Sequence, residues 1–421
     1  MAVAEGPALA EAVAGTQVES RGRFNTFRSL HYRDYRLLWI GTLFASSAQW
    51  VQQITVGWLA YQLTGSAFML GAVNGARALP LLFLAPFGGV AADRVDRKAL
   101  MFWTQIMLLI SSVAMAAIVL TGQVHVWHLL AYMAITGVAW AFNNPVRQSV
   151  VPNLVPREDL MNALALNSVG FNITRIIGPT IAGILIAEVG AGENFLIQAG
   201  AYVAMAAIVI PMAIPAMKRA TDASVRENLK DGANYVWRNG TLRTMLILAL
   251  VPMVIGLPYT ALMPIFAKEV LHSGASGYGL LMSAVGVGAV IGTLTLASFG
   301  SVQRKGLVVL AAIFMLGASL IAFSLSRSFE LSLVLMVVTG AAQMVYMTTN
   351  QTVLQLLIPD EMRGRVMGIY MLNQGLVPFG SLLAGALADA TSAPTAVFIM
   401  GSLVCFMATV FALRAREMRE A

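Results

Sequence analysis

Twelve long apolar runs, separated by short polar turns, confine this chain to one kind of environment. They fall at roughly 36–63, 70–92, 98–121, 126–153, 160–188, 194–217, 242–269, 277–300, 306–325, 329–358, 363–389 and 394–414. A helix needs about 20 mostly apolar residues to cross a bilayer, and each run reaches that length. Inside hydrocarbon, backbone polar groups must be satisfied within their own segment, so such runs are read as helices. Only 11% of the 421 residues are charged and 58% are hydrophobic, against about 25% charged in a soluble domain. A soluble enzyme is excluded. The expected fold class is all-α and membrane-integral, with twelve transmembrane helices.

The polar intervals divide the chain. Residues 1–26 contain Glu5, Glu11 and Glu19 and no sustained apolar core, so they read as a flexible cytoplasmic tail and not as a signal peptide. Residues 218–241 are the longest polar interval between the runs and read as a cytoplasmic linker. It separates an N-terminal six-helix bundle, 27–217, from a C-terminal one, 242–421. With the N-terminus placed inside, the basic residues collect in the inner loops and tails, and only Lys268 and Arg327 fall in outer loops. That asymmetry sets both termini in the cytoplasm. It also accounts for the net charge of +7 by orientation in the membrane, so no nucleic-acid partner is expected.

Each half echoes the other. "LVPREDLMNALAL" from Leu154 resembles "LIPDEMRGRVMGI" from Leu357, an offset at which Gln148 also meets Gln351. An even number of spans between the copies gives them the same orientation, a parallel repeat, which is a transporter architecture. The single cysteine, Cys405, permits no disulfide within the chain. The four histidines form no ligand cluster, so neither a metal nor another cofactor is expected.

The second and third runs are joined by "GGVAADRVDRK" from Gly88. Its Gly89, Asp93, Arg94, Arg97 and Lys98 resemble the signature G-x-x-x-D-R-x-G-R-[RK] of the major facilitator superfamily. Asp96 stands where that signature usually has glycine, which predicts a less tight turn. The resemblance implies two pseudo-symmetric six-helix bundles, an alternating-access cycle, and a gating role for this loop against the start of span eleven near Asp360–Arg363. "YQLTGSAFMLGAV", "ARALP", "NNPVRQSVVPNLVP" and "TRIIGPTIAG" narrow the likeness to the enterobactin-exporter branch, whose members export siderophores, macrolides and other amphiphiles. "GPTIAG" also partly matches an antiporter signature, and Gly178, Pro179 and Gly183 are expected to serve close helix packing.

In that superfamily spans one, four, seven and ten line the cavity, and polar residues at depth are functional candidates by default. Span one offers Gln49, Trp50 and Gln53, span four Trp140, Asn143 and Arg147, span seven Tyr259, and span ten Gln343, Tyr346 and Asn350. Pro252, Gly256, Pro258 and Pro264 predict a broken span seven. The competing reading for each polar residue is an interhelical hydrogen bond. Arg77, Arg147 and Arg175 lie within spans whose centres carry no acid. They either satisfy backbone carbonyls or make the cavity positive for an anionic cargo. Asp34, Glu269 and Asp389, at helix ends, are fallback candidates for proton coupling. The expectation is a proton-coupled exporter of a small amphiphilic, siderophore- or drug-like molecule, acting as a monomer among membrane lipids. An importer or uniporter of the same fold is the alternative, and a multispanning membrane enzyme a remote one.

Overall fold

The computed structural model describes residues 26–214, 225–298, 304–359, 362, 365–370 and 375–414, with side chains described except at 85–86, 89–90, 92–94 and 225–230. Six helices precede the linker: α1 (Arg33–Thr64), α2 (Ala67–Arg94), α3 (Arg97–Leu120), α4 (Val126–Leu154), α5 (Leu160–Glu188) and α6 (Ala191–Val209). After it come α7 (Gly240–Val270, interrupted), then α8 (Gly274–Ser298), α9 (Lys305–Leu325), α10 (Phe329–Leu357), α11 (Val377–Ala390) and α12 (Ala393–Arg414). Among the described residues nine helices are long and apolar enough to cross a membrane. The other three are α1 and α4, which are long but less apolar, and α11, which is shorter. The chain is a multi-pass membrane protein. The run expected at 363–389 is helical at 365–370 and again at Val377–Ala390, and the expected linker carries its own helix, Val225–Arg238.

Short polar turns reverse the chain by ordinary capping chemistry. After α1, Gly65 takes φ 61° and its N–H closes onto the Tyr61 carbonyl. Ser66 follows at once as N-cap of α2, accepting from Met69 N at 3.3 Å. Asp96 caps α3, accepting from Lys98 N at 2.8 Å and Ala99 N at 3.4 Å. The acid standing where the superfamily signature has glycine therefore starts a helix.

Span seven breaks where its prolines predicted. Two π turns interrupt it: Val251–Gly256, which carries Pro252, and Phe266–Val270, just after Pro264. Leu257 N bonds Pro252 O at 2.7 Å and Leu271 N bonds Phe266 O at 2.8 Å, both five residues back.

Helices α1–α6 pack mainly among themselves, as do α7–α12, and the two sets meet chiefly where α2 packs on α11 and α5 on α8. The end at which α1 begins is called proximal here and the opposite end distal. Glycines permit these crossings: a methyl group on Gly183 would lie 2.5 Å from the Ala275 carbonyl oxygen and 3.0 Å from Gly279 Cα. Hydrogen bonds among the described residues join the two sets distally. Tyr61 donates to Glu269, Ser66, Ala67 and Phe68 donate to Asp389, and Ser283 serves Thr180.

Proximally, bonds fasten segments within one set. Asp159 pairs with Arg28 at 3.0 Å and accepts from Tyr32 at 2.7 Å, a bond that raises the Tyr32 hydroxyl above the usual tyrosine range. Asp231 of the linker helix pairs with Arg365 at 3.0 Å.

Candidate functional site

A cavity of about 770 Å³ lies between the two sets, within the 300–1,000 Å³ range of small-molecule sites. Gln53 and Gly57 of α1, Asn74 and Arg77 of α2, and Trp140, Asn144 and Gln148 of α4 form one wall. Thr260 and Pro264 of α7, Tyr278 of α8 and Ser381 of α11 form the other. Among the described residues its one charged lining residue is Arg77.

Trp140 organises the charged part of the wall. The Arg77 guanidinium lies over its ring at 5.3 Å from the centroid and that of Arg147 at 5.6 Å. Two cations sharing one indole is a cation–π arrangement worth about 0.5–2 kcal/mol per cation. Nη1 of Arg147 is buried with no hydrogen-bond partner. A carboxylate or other oxyanion entering here would meet a desolvated positive wall, together with four amides and an aromatic face.

Of the residues singled out in the sequence, Gln53, Arg77 and Trp140 reach the cavity. Arg147 sits behind them against Trp140. Gln49 is half-buried outside the lining. Trp50 packs its ring 6.3 Å from Phe171 and its Cβ close over Gly178. Asn143 turns into its own set and donates to Thr104 at 2.7 Å. Tyr346, fully buried, donates to the Ala249 carbonyl at 3.1 Å. Asn350 is fully buried too, and the Gln343 amide nitrogen faces the Met347 sulfur at 3.9 Å. Span ten therefore adds nothing to the cavity lining, because its polar stripe faces α7 and its own neighbours. Tyr259 is buried within electrostatic reach of Arg175, also outside the lining. Gly178 receives Trp50, while Pro179 and Gly183 pack on Gly279 of α8, across the two sets.

In the loop after α2, Arg97 is buried and donates to the Ser149 carbonyl at 3.4 Å, and Lys98 takes part through its backbone N–H. The side chains of Asp93 and Arg94, the surroundings of Gly89, and the Asp360–Arg363 partner region lie outside the described residues, apart from Met362.

Sequence reasoning missed Asn74, Gln148, Thr260 and Ser381 as lining residues. Two signals were available: Trp140, Asn144 and Gln148 recur at i, i+4, i+8, and Asn74 lies one turn before Arg77.

Residues 24–421 match the family described as transmembrane secretion effector. The chain is 28% identical over 360 residues to the staphyloferrin A transporter of Staphylococcus aureus, covering 85% of this chain and 90% of that protein. It is 24% identical over 390 residues to macrolide efflux protein A of Streptococcus pyogenes (90% and 96% covered). It is 26% identical over 396 residues to the multidrug efflux pump Tap of Mycolicibacterium fortuitum (91% and 96%). Among solved structures, the nucleoside transporter NupG superposes with TM-score 0.71 at 15% identity, covering 91% of this chain and 99% of that one. An inward-facing bacterial homologue of the lysosomal transporter Spinster gives 0.70 at 15% identity, with 92% and 98% covered.

Proposed function

Because the chain belongs to the transmembrane secretion effector family, whose members named above are major facilitator efflux and siderophore transporters, we propose that it exports a small amphiphilic, anionic molecule by alternating access. The observation that carries the cargo class is the cavity wall, where Arg77 and Arg147 share Trp140 and no carboxylate is among the described lining residues. An oxyanion there can accept from the Arg77 guanidinium at the lining, and amide neighbours fix its orientation. The similarity to proteins named macrolide efflux protein A and multidrug efflux pump Tap supports export.

In this reading twelve spans form two six-helix halves that rock about the cavity, with both termini cytoplasmic in the bacterial inner membrane and the monomer as the working unit. The proximal side is then the cytoplasm. The described hydrogen bonds between the halves lie toward the distal end, which supports reading this as the cargo-accepting state. Gly89, Asp93, Arg94, Arg97 and Lys98 form the proximal gate that closes in the opposite state. Protons drive the cycle.

The test is uptake of anionic amphiphiles into inverted membrane vesicles with and without an imposed proton gradient. Gradient-dependent accumulation is expected. Uptake that ignores the gradient removes the coupling, and accumulation only in right-side-out vesicles reverses the direction.

A further inference from the structure

A second, smaller cavity of about 80 Å³ lies beside the first, and the two are joined. Ala78, Leu82, Gly375 and Pro378 line both. The small cavity takes Gly75, Ala78, Leu79 and Leu82 from α2. From α11 and the turn before it come Gly375, Pro378, Phe379 and Leu382. Each group repeats the spacing i, i+3, i+4, i+7, so one stripe of each segment borders a slot between them.

The slot also reaches the outside of the bundle. Leu79 and Phe379 line it and are each 46% exposed, and Phe83 and Leu383, one turn beyond them, are exposed too. Apolar side chains at such a mouth face lipid, so the passage runs from the bilayer to the cavity.

Glycines show why the helices part here. A methyl group on Gly71 would lie 2.7 Å from the Ser381 carbonyl carbon and 2.8 Å from Leu382 Cα, so α2 and α11 touch there backbone to backbone. One turn on, a methyl on Gly75 would meet only Leu382 Cδ1 outside its own helix, at 3.9 Å. At 1.5 Å per residue, Gly75 to Leu82 occupies roughly 12–22 Å from the distal end of α2, within a hydrocarbon core about 30 Å thick.

None of the lining residues carries a polar side chain. A polar group entering the slot would give up its bonds to water and gain none. Arg77 of the main cavity directly precedes Ala78, which lines both spaces. A cationic wall and a hydrocarbon passage therefore adjoin.

We propose that the slot between α2 and α11 is the subsite for a hydrocarbon tail of the cargo. The exported molecule is then an acylated anion, its head against Arg77 and its tail passing through the slot into the bilayer. The inference rests on the anionic-cargo reading above and specifies the apolar part of that cargo. Tail atoms left in the open cavity would meet water, whereas in the slot they stay among apolar side chains and lipid. The head is paired by Arg77, which offsets the cost of an ion at membrane depth. A tail that leaves the cavity need not fit it, so the volume of the cavity limits only the head.

The experiment uses N-butanoylglycine and N-hexadecanoylglycine, one carboxylate head on a short and a long tail. Each carries a diazirine at the tail end and is photo-crosslinked to the full chain in phosphatidylcholine nanodiscs, with labelled residues read by mass spectrometry. The long tail should label Leu79, Phe379 and their lipid-facing neighbours, the short one the cavity wall. Excess unlabelled compound should displace both. Gly75→Phe fills the slot and should cut saturable labelling by the long probe about tenfold, while the short probe changes less than about twofold and reports that the variant is folded. Gly75→Ala, whose methyl has room, should leave both unchanged.

Long-tail labelling confined to the cavity overturns the inference, as does slot labelling that Gly75→Phe leaves intact. A diazirine-tailed phosphatidylcholine that labels the slot and is not displaced by N-hexadecanoylglycine overturns it too, because the slot then holds bilayer lipid. Arg77→Gln separates the two readings. It should release both probes, and slot labelling that survives it would refute the anionic head and leave the tail subsite standing. Displaceable short-probe labelling with no label in the slot would refute the subsite alone.

Discussion

Helices α4 and α10 match in length and in sequence offset, yet they present their polar side chains differently. Val126–Leu154 and Phe329–Leu357 are both 29 residues long and are aligned by the offset that pairs Gln148 with Gln351. At that offset Trp140 meets Gln343, Asn143 meets Tyr346 and Arg147 meets Asn350. Position 143/346 behaves alike in both copies: Asn143 donates inward to Thr104 and Tyr346 inward to Ala249. Position 140/343 does not, since Trp140 lines the cavity beneath two arginines and Gln343 is outside it. The two helices share an inward-facing bond, and only α4 contributes to the cavity wall.

Substitutions test that asymmetry. The largest effect should come from Gly385→Val, which leaves both walls intact and tests the frame they share. Added atoms there would lie 2.8 Å from the Ala67 carbonyl carbon and the Phe68 Cα, so α2 and α11 should no longer seal. Uptake in inverted vesicles should be abolished while the protein still reaches the membrane. Trp140→Ala removes the platform for both guanidiniums and should raise the cargo KM about tenfold, from roughly 1–2 kcal/mol of lost cation–π contact. Gln343→Ala, its counterpart, should change KM less than about twofold, and an equal effect would break the comparison. Smallest are the inward-facing pair. Asn143→Ala and Tyr346→Phe should each lower stability by roughly 0.6 kcal/mol, the average for an interhelical bond in a membrane protein. Thermal unfolding in detergent would detect that, with KM unchanged.

The spans were legible because a bilayer imposes a minimum apolar length, and the interruption of α7 was legible because proline lacks a donor. The direction in which a polar residue points was not. Asn143 and Asn144 are adjacent, yet one helical step of about 100° sends the first to Thr104 and the second to the cavity. Amphipathicity normally settles such a choice, but in α4 polar side chains occupy both the core-facing and the cavity-facing sides. Arg77 was legible as a cation within a span whose centre carries no acid. Its stacking on Trp140 depends on how α2 lies against α4, where Gly137 and Gly88 let the backbones nearly touch. The contacts of Glu269 and Asp389 were hidden for a related reason: their partners are more than 200 residues away in sequence.

The most direct test of the account is the preference of the transporter between an anionic amphiphile and its neutral methyl ester, measured as the ratio of initial uptake rates into inverted vesicles for wild type and Arg77→Gln. The account predicts a strong wild-type preference for the anion that falls about tenfold or more in the variant, with the ester rate little changed. An unchanged ratio, or equal loss for both compounds, would contradict the claim that the Arg77–Trp140 wall recognises the cargo's charge.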